Sequence, residues 1–205
     1  MIKTIVFDWD GTIVDSLQLK RDVWLDIFPK HTKAHFAVQK LLPELKTSTR
    51  SQILAKIFDV VGDELPKEEF VAKYSLVYRD EVEKGILRNG FLPGAKEALE
   101  NLSGNFPLYV NSATPHESLL SVVEKINAAK YFKNIFGRSL SQENHTQYDL
   151  KVENLREISK LENLSPKEIL MVGDAEADEK AAQIFGCKFF KVDSSANLSG
   201  LKRVI

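Results

Sequence analysis

Acidic and polar side chains follow three short apolar segments of this sequence. In chain order they are Asp8 and Asp10, then Asn111 and Ser112, then Asp174 and Asp178. Several carboxylates in one cleft repel one another and require a cation, and oxygen ligands without His or Cys favour Mg²⁺ over zinc. A hydroxyl and an ammonium group, such as those of Ser112 and Lys151, suit the oxygens of a tetrahedral phosphate. The set predicts phosphoryl transfer, in which a carboxylate can serve as nucleophile.

A single one of these motifs would not support that prediction. The stretch Asp8-Trp9-Asp10-Gly11-Thr12 could equally form a capped turn after a strand, because Asp and Gly favour turns. The pair Gly173-Asp174 is weaker still when taken alone. The combination, in this order and with each motif at a predicted strand end, is what favours a functional site.

The apolar segments have the character of strands. The run Ile2–Phe7 is short, β-branched and apolar, which is typical of a buried parallel strand. Further strands are predicted at Pro107–Val110, Ile169–Val172 and Lys188–Val192. Helices are predicted between them at Ala95–Leu102, Pro115–Ile126, Lys151–Leu161 and Glu176–Phe185. This alternation predicts an α/β fold with a Rossmann-like, doubly wound parallel sheet, which binds ligands at the carboxyl ends of its strands.

The region between the first strand and the rest of the sheet has a different pattern. Apolar residues recur there at spacings of three and four, as expected for amphipathic helices. Helices are predicted at Leu17–Phe28, Thr49–Val61 and Lys67–Val82. We therefore predict an α/β core formed by residues 1–14 and 86–205, with residues 15–85 inserted as a helical cap. The polar stretch Asn134–Asp149 is predicted to be an irregular loop.

Composition narrows the class of protein further. The chain has 205 residues and a formal net charge of -1, so its charge does not indicate a nucleic-acid or membrane partner. Cys187 is the only cysteine, which excludes an intramolecular disulfide and a zinc site made of several thiolates. The sequence has neither a membrane-spanning apolar stretch nor the features of a secretory signal. We expect a cytoplasmic monomer that acts on a small phosphorylated metabolite.

The motifs together resemble the haloacid dehalogenase superfamily, in the branch with a helical cap after the first strand. Phosphoglycolate phosphatases and β-phosphoglucomutases belong to this branch. The resemblance spans the whole chain. It is carried by Asp8-Trp9-Asp10-Gly11-Thr12, Val110-Asn111-Ser112, Lys151, and Gly173-Asp174-Ala175-Glu176-Ala177-Asp178, and is supported by Phe91-Leu92-Pro93-Gly94-Ala95.

The resemblance implies a role for each motif. Asp8 would attack phosphorus and become phosphorylated, while Asp10 would protonate the leaving oxygen and later deprotonate water. The implied Mg²⁺ site consists of Asp8, the backbone carbonyl of Asp10, Asp174 and Asp178, of which Asp178 would hold a metal-bound water or Lys151. The implied phosphate-binding and loop-positioning residues are Thr12, Ser112, Ala113 and Lys151. Since dehalogenases lack an acid equivalent to Asp10, phosphate ester or anhydride chemistry is favoured.

Residues of the predicted cap indicate which class of substrate and reaction to expect. Arg50 follows a stretch similar to a cap loop that contacts the distal part of the substrate, and it could bind a second anionic group. Lys20 and Trp24 lie where related mutases have His-x-x-x-Trp, and Lys20 in place of His argues against a mutase. Lys20 and Arg50 could also be plain solvated side chains. A phosphatase is thus predicted, with a mutase, a pyrophosphatase and an inactive binding module as alternatives.

Overall fold

The structure is a computed structural model, and it describes residues 1–44, 48–192 and 198–203. Residues 45–47, which belong to the stretch preceding Arg50, lie outside the described residues. The chain divides into two compact units. One unit comprises Met1–Asp15 and Asn89–Ile205, and the other comprises Ser16–Arg88.

The first unit contains one five-stranded parallel sheet. Its strands are β1 (Thr4–Phe7), β2 (Leu108–Pro115), β3 (Asn134–Arg138), β4 (Ile169–Gly173) and β5 (Lys188–Lys191). They lie in the order β3-β2-β1-β4-β5, and every neighbouring pair is parallel. All residues of β1 and β4 are buried, as expected for central strands covered on both faces. The predicted doubly wound α/β fold is confirmed, and the carboxyl ends of β1, β2 and β4 meet at one edge.

The α-helices of the described residues have the following bounds. They are α1 (Leu17–Asp26), α2 (Lys33–Leu41), α3 (Arg50–Val61), α4 (Lys67–Asn89), α5 (Ala95–Ser103), α6 (His116–Lys125), α7 (Gln147–Glu162) and α8 (Glu176–Phe185). Short 3-10 turns lie at Leu42–Glu44, Ala129–Tyr131, Leu140–Gln142, Pro166–Glu168 and Leu198–Arg203.

The helices α7 and α8 pack against each other and cover one face of the sheet. Val152, Leu155 and Ile158 recur at three-residue spacing on α7 and pack with Val6 of β1 and Met171 of β4. Each of these side chains is nearly or completely buried, and such burial stabilises a fold by about 1.5–3 kcal/mol per large aliphatic residue. This packing fixes α7, and with it Lys151, against the sheet.

The helical unit is held together by aromatic residues. Phe70 of α4 is fully buried, and its ring centroid lies 4.6 Å from Tyr74, 5.4 Å from Phe58 and 6.2 Å from Phe28. Such pairs add about 0.5–1.5 kcal/mol to the burial of their area. The unit therefore has a hydrophobic core of its own.

The prediction of an irregular loop at Asn134–Asp149 is wrong. The stretch Asn134–Asp149 contains the edge strand β3 and the first turn of α7. The strand was missed because it is short and carries Asn, Gly and Arg, so its order comes from pairing with β2 rather than from an apolar run. The helix starts earlier than predicted because the side chain of Thr146 accepts a hydrogen bond from the backbone N–H of Asp149. Lys151 therefore lies in the second turn of α7 and does not open the helix.

A second feature missed by the sequence analysis is helix α2. It carries His35, which its polar sequence context predicts to be exposed. His35 is in fact only 9% exposed, and its Nδ1 lies 3.0 Å from the backbone carbonyl oxygen of Leu25. Its Nε2 lies 3.2 Å from the side-chain nitrogen of Gln39. This histidine is a satisfied core residue of the helical unit.

The two chain segments that lead into and out of the helical unit run side by side in the α/β unit. Val14 and Phe91 form an antiparallel bridge, and the backbone N–H of Leu92 donates to the carbonyl of Ile13 at 2.9 Å. The side chain of Asn89 donates to the carbonyl of Asp15 at 3.2 Å. In the described residues, no helix combines the length and the apolar character that crossing a membrane requires.

Candidate active site

The centre of the site is an ion triad at the carboxyl edge of the sheet. Lys151 of α7 is buried, and its Nζ lies 2.8 Å from Oδ1 of Asp8, directly after β1. The same Nζ donates to Oδ1 of Asp178 on α8, which is completely buried. When both carboxylates are ionised, two negative charges face one ammonium group, and the triad has a net negative charge away from bulk water.

The pKa values respond to this arrangement. Burial and the nearby charge of Asp178 raise the pKa of Asp8 to about 8, although the ammonium of Lys151 opposes the shift. Burial on its own would lower the pKa of Lys151, but the charges of Asp8 and Asp178 outweigh it, so that the pKa is raised. The lysine therefore stays protonated, whereas ionised Asp8 is costly without further positive charge.

The position of Asp178 depends on a glycine. Oδ2 of Asp178 accepts the backbone N–H of Ala175 at 3.0 Å, at the beginning of α8. A Cβ atom at Gly173 would lie 2.4 Å from Cγ of Asp178, which is closer than such atoms approach. The end of β4 must therefore be glycine for the carboxylate to pack against it.

Three carboxylates converge in a manner that fits a divalent cation. One oxygen each of Asp8, Asp174 and Asp178 lies within 4.8 Å of the others. Burial and the charge of Asp178 raise the pKa of Asp174, and the hydroxyl of Thr12 donates to its Oδ1 at 3.2 Å. An all-oxygen donor set with excess negative charge is the chemistry that Mg²⁺ prefers. The residues present therefore fit this cation.

Asp10 has a hydrogen-bond partner that the sequence analysis did not single out. The hydroxyl of Thr114 donates to Oδ2 of Asp10 at 2.7 Å. Thr114 lies near the end of β2, two residues after Ser112. The sequence offers one indication of this role, because Thr114 is a second hydroxyl residue just after the Asn111-Ser112 motif.

Ser112 and Ala113 lie at the irregular end of β2, beside Thr114. Ser112 is buried, and its hydroxyl oxygen accepts the backbone N–H of Thr114 at 3.1 Å. The carbonyl of Ala113 accepts from Nε of Arg138 at 3.4 Å. The pairing between β2 and β3 changes register between Asn111 and Pro115, and this irregularity shapes the loop.

A chain of buried amides connects β2 to α7. Asn111 donates to the backbone carbonyl of Lys151 at 2.9 Å, and its own side-chain oxygen accepts from Asn154 at 2.9 Å. Oδ1 of Asn154 accepts from Gln142 at 3.2 Å, and Gln142 also donates to Glu153 at 2.7 Å. The backbone of Lys151 is thereby tied to the end of β2. Asn154 and Gln142 are positioning residues that the sequence analysis missed.

The two predicted cap residues belong to the helical unit. Arg50 lies 4.9 Å above the ring of Tyr78 and donates to the backbone carbonyl of Ser75 at 3.1 Å. Burial lowers the pKa of its guanidinium. The backbone carbonyl of Lys20 accepts from the hydroxyl of Tyr78 at 3.3 Å, and the residue is half-buried. The described contacts of Arg50 are thus with residues of the helical unit itself, and its role towards a substrate stays a prediction.

The fold and the site define the class of protein. A doubly wound parallel sheet with carboxylates and a lysine at its carboxyl edge is an α/β hydrolytic scaffold of the kind predicted from the sequence. The chain belongs to the haloacid dehalogenase-like hydrolase family, whose model matches residues 2–186. The predicted superfamily and the prediction of an enzyme are both confirmed. No curated protein matches the sequence significantly.

Solved structures of this family are similar in fold. A HAD hydrolase, YfnB from Bacillus subtilis, described as bound to magnesium, is 19% identical with a TM-score of 0.71, over 99% of this chain and 98% of that one. A predicted phosphoglycolate phosphatase from Haemophilus somnus 129PT is 22% identical with a TM-score of 0.67, over 98% and 91%. A protein from Thermotoga maritima described as a β-phosphoglucomutase is 16% identical with a TM-score of 0.67, also over 98% and 91%.

Proposed function

We propose that this protein is a Mg²⁺-dependent phosphatase that hydrolyses small phosphate monoesters through an aspartyl-phosphate on Asp8. The observation that carries the proposal is the position of the Asp8 carboxylate. It lies 2.8 Å from the ammonium group of Lys151 and within 4.8 Å of oxygens of Asp174 and Asp178. A nucleophile for a phosphoryl group needs this combination, because positive charge must neutralise both the nucleophile and the transferred group.

The reaction takes two steps. In the first, a carboxylate oxygen of Asp8 forms a bond to phosphorus, the ester P–O bond breaks, and a proton passes from Asp10 to the leaving alkoxide. In the second, water attacks the phosphorus, Asp10 takes up its proton, and the bond between Asp8 and phosphorus breaks to release phosphate. Ser112, the backbone N–H of Ala113 and Lys151 bind the phosphoryl oxygens.

The carboxylates Asp8, Asp174 and Asp178, with the backbone carbonyl of Asp10, would hold Mg²⁺. When bound, this ion supplies positive charge that stabilises ionised Asp8 and the transferred phosphoryl group. The magnesium-bound relative YfnB is consistent with this assignment. Lys151 meanwhile keeps its proton and bridges Asp8 and Asp178.

The helical unit is proposed to act as a cap that closes over the substrate and excludes water from the first step. Arg50 and Lys20 are its candidate contacts to a second anionic group of the substrate. Trp24, which is shared with related mutases, packs against Tyr78 with the ring centroids 4.3 Å apart, so packing alone accounts for it. Product analysis separates the alternatives: a mutase yields an isomerised sugar phosphate, and a pyrophosphatase yields two phosphates.

The test is phosphate release from a panel of phosphate monoesters, pyrophosphate and nucleotides, with Mg²⁺ or with chelator. Asp8→Asn should fold and lose all metal-dependent release, because an amide cannot form the phosphoenzyme. Asp59→Asn, an exposed residue of α3 paired with Lys67, is the matched control and should retain wild-type release. Release that survives Asp8→Asn would overturn the mechanism.

A further inference from the structure

The hydroxyl of Thr114 contacts the side chain of Asp10 directly. It donates to Oδ2 at 2.7 Å, a distance typical of a hydroxyl bound to a carboxylate. Asp10 lies in the loop after β1, and Thr114 lies near the end of β2, so this bond crosses between two neighbouring strands. A side chain held in this way has few rotamers left to adopt.

Thr114 is itself held from three sides. Its backbone N–H donates to the hydroxyl oxygen of Ser112 at 3.1 Å. Its carbonyl oxygen lies against Gly137 of β3, where an added Cβ would come within 2.9 Å of it. Arg138 donates to the preceding carbonyl, that of Ala113, and its Nη1 donates to the carbonyls of Gln142 and His145 at 2.7 and 2.9 Å. The hydroxyl of Thr114 is therefore presented from a rigid part of the sheet edge.

We propose that Thr114 is a positioning residue that holds the carboxyl of Asp10 in line with the leaving oxygen of the substrate. This inference rests on the proposed phosphatase function and adds to it a residue on β2 that governs proton transfer. In this proposal Asp10 and Thr114 act as one unit, because the hydroxyl acts on the reaction through the carboxyl that it orients.

If Thr114 positions Asp10, the effect of removing its hydroxyl should depend on the leaving group of the substrate, whereas a merely structural role would affect all substrates alike. Breaking the ester bond to an alkoxide requires a proton from Asp10, whereas p-nitrophenolate leaves readily as an anion. Misplacing Asp10 should therefore slow the cleavage of esters with basic leaving groups and spare those with acidic ones. The constant kcat/KM reports the first step alone, since it includes events only through the first irreversible bond cleavage.

The experiment measures kcat/KM for p-nitrophenyl phosphate, phenyl phosphate and glycerol phosphate. Thr114→Val removes the donor and keeps the shape. We expect kcat/KM to fall about 10- to 100-fold for phenyl and glycerol phosphate and less than about threefold for p-nitrophenyl phosphate. Thr114→Ser, which keeps the hydroxyl, should restore the wild-type dependence on the leaving group. An equal loss for all three esters, or no loss for any, would overturn the proposal.

A matched control exists elsewhere in the same unit. The hydroxyl of Thr146 donates to Oδ2 of Asp149 at 2.6 Å, which is the same type of bond at the start of α7. Thr146→Val should lower stability through the lost helix cap and change all three kcat/KM values by one common factor. A leaving-group dependence in this control like that of Thr114→Val would also overturn the proposal.

A double-mutant cycle with Asp10→Asn tests whether the two residues act as a unit. In that background Thr114→Val should change kcat/KM for phenyl phosphate by less than about twofold. A full additional loss would show that Thr114 acts independently of Asp10. Failure of the proposed function is recognised separately, because Asp8→Asn would then retain turnover. Circular dichroism and thermal melts verify that each variant is folded.

Discussion

The two sides of the site are held in place by different forces. On the side of β1 and β4, the carboxylates of Asp8 and Asp178 share the single ammonium group of Lys151. On the side of β2 and β3, which we call the neutral side, amides, hydroxyls and a glycine fit together through hydrogen bonds and shape. The charged groups there, Arg138 and Glu153, bond to backbone carbonyls and to an amide. The charged side carries unbalanced charge that a cation must complete, whereas the neutral side is already satisfied. Truncating a neutral residue should therefore always destabilise the fold, while removing a charge can act in either direction.

The largest effect is expected for Lys151→Met, which removes the cation of the charged side. Asp8 and Asp178 would remain buried without a positively charged partner, which costs about 3–5 kcal/mol in the free energy of unfolding. Because the ammonium of Lys151 lowers the pKa of Asp8 in the wild type, that pKa should rise further in this variant. Urea denaturation with chelator measures the loss of stability. Lys160→Met, exposed on the same helix, is the control and should change stability by less than about 0.5 kcal/mol.

The second-largest loss of stability is expected for Gly137→Ala, which disturbs the packing of the neutral side without changing any charge. The added Cβ would lie 2.6 Å from Cα of His116, so the backbone between Ser112 and His116 must move. We expect a loss of about 1–3 kcal/mol and a fall in kcat, because Thr114 moves with this segment. Gly104→Ala, where nothing lies within 4 Å of the added atom, should be close to neutral. Equal stability of the two variants would contradict the close packing of β3 on this loop.

Asn154→Leu breaks the buried amide chain of the neutral side. It leaves the side-chain oxygen of Asn111 without its donor, and an unsatisfied buried polar group costs about 1–3 kcal/mol. We expect a loss near the lower end of that range, because Gln142 keeps its bond to Glu153. Asn101→Leu, exposed on α5, provides the comparison in the same denaturation experiment.

The smallest effect has the opposite sign. Between about pH 4 and pH 8 the folded protein keeps a proton on Asp8 that the unfolded chain has released, so the stability of the metal-free wild type falls as pH rises. Asp8→Asn removes this slope and should be more stable at pH 8 by about 1 kcal/mol, since the lost attraction to Lys151 offsets part of the gain. Mg²⁺ should raise the melting temperature of the wild type more than that of Asp8→Asn. A variant that is less stable than wild type at pH 8 would contradict the excess of charge.

The charged side of the site could largely be predicted from the sequence, whereas the neutral side could not. The fold and the acidic motifs were predictable because β1 and β4 are continuous apolar runs that end in Asp, a pattern produced by burial on both faces. The strand β3 lacks this pattern, since an edge strand is ordered by its neighbour. The contacts of Gly137 and Asn154 join segments far apart in the sequence, and no local signal specifies them. Thr114 had one weak signal, because it adds a second hydroxyl residue to the Asn111-Ser112 motif.

The bridge between Val14 and Phe91 has a consequence for how this enzyme family can diversify. Because the two ends of the helical insertion are already fastened to each other within the α/β unit, a short turn could replace residues 16–88 and leave every strand of the sheet in its place. The α/β unit can thus accept insertions of different size and surface at this point of the chain. Residues 16–88 and the residues of the sheet can then change independently of each other along one chain.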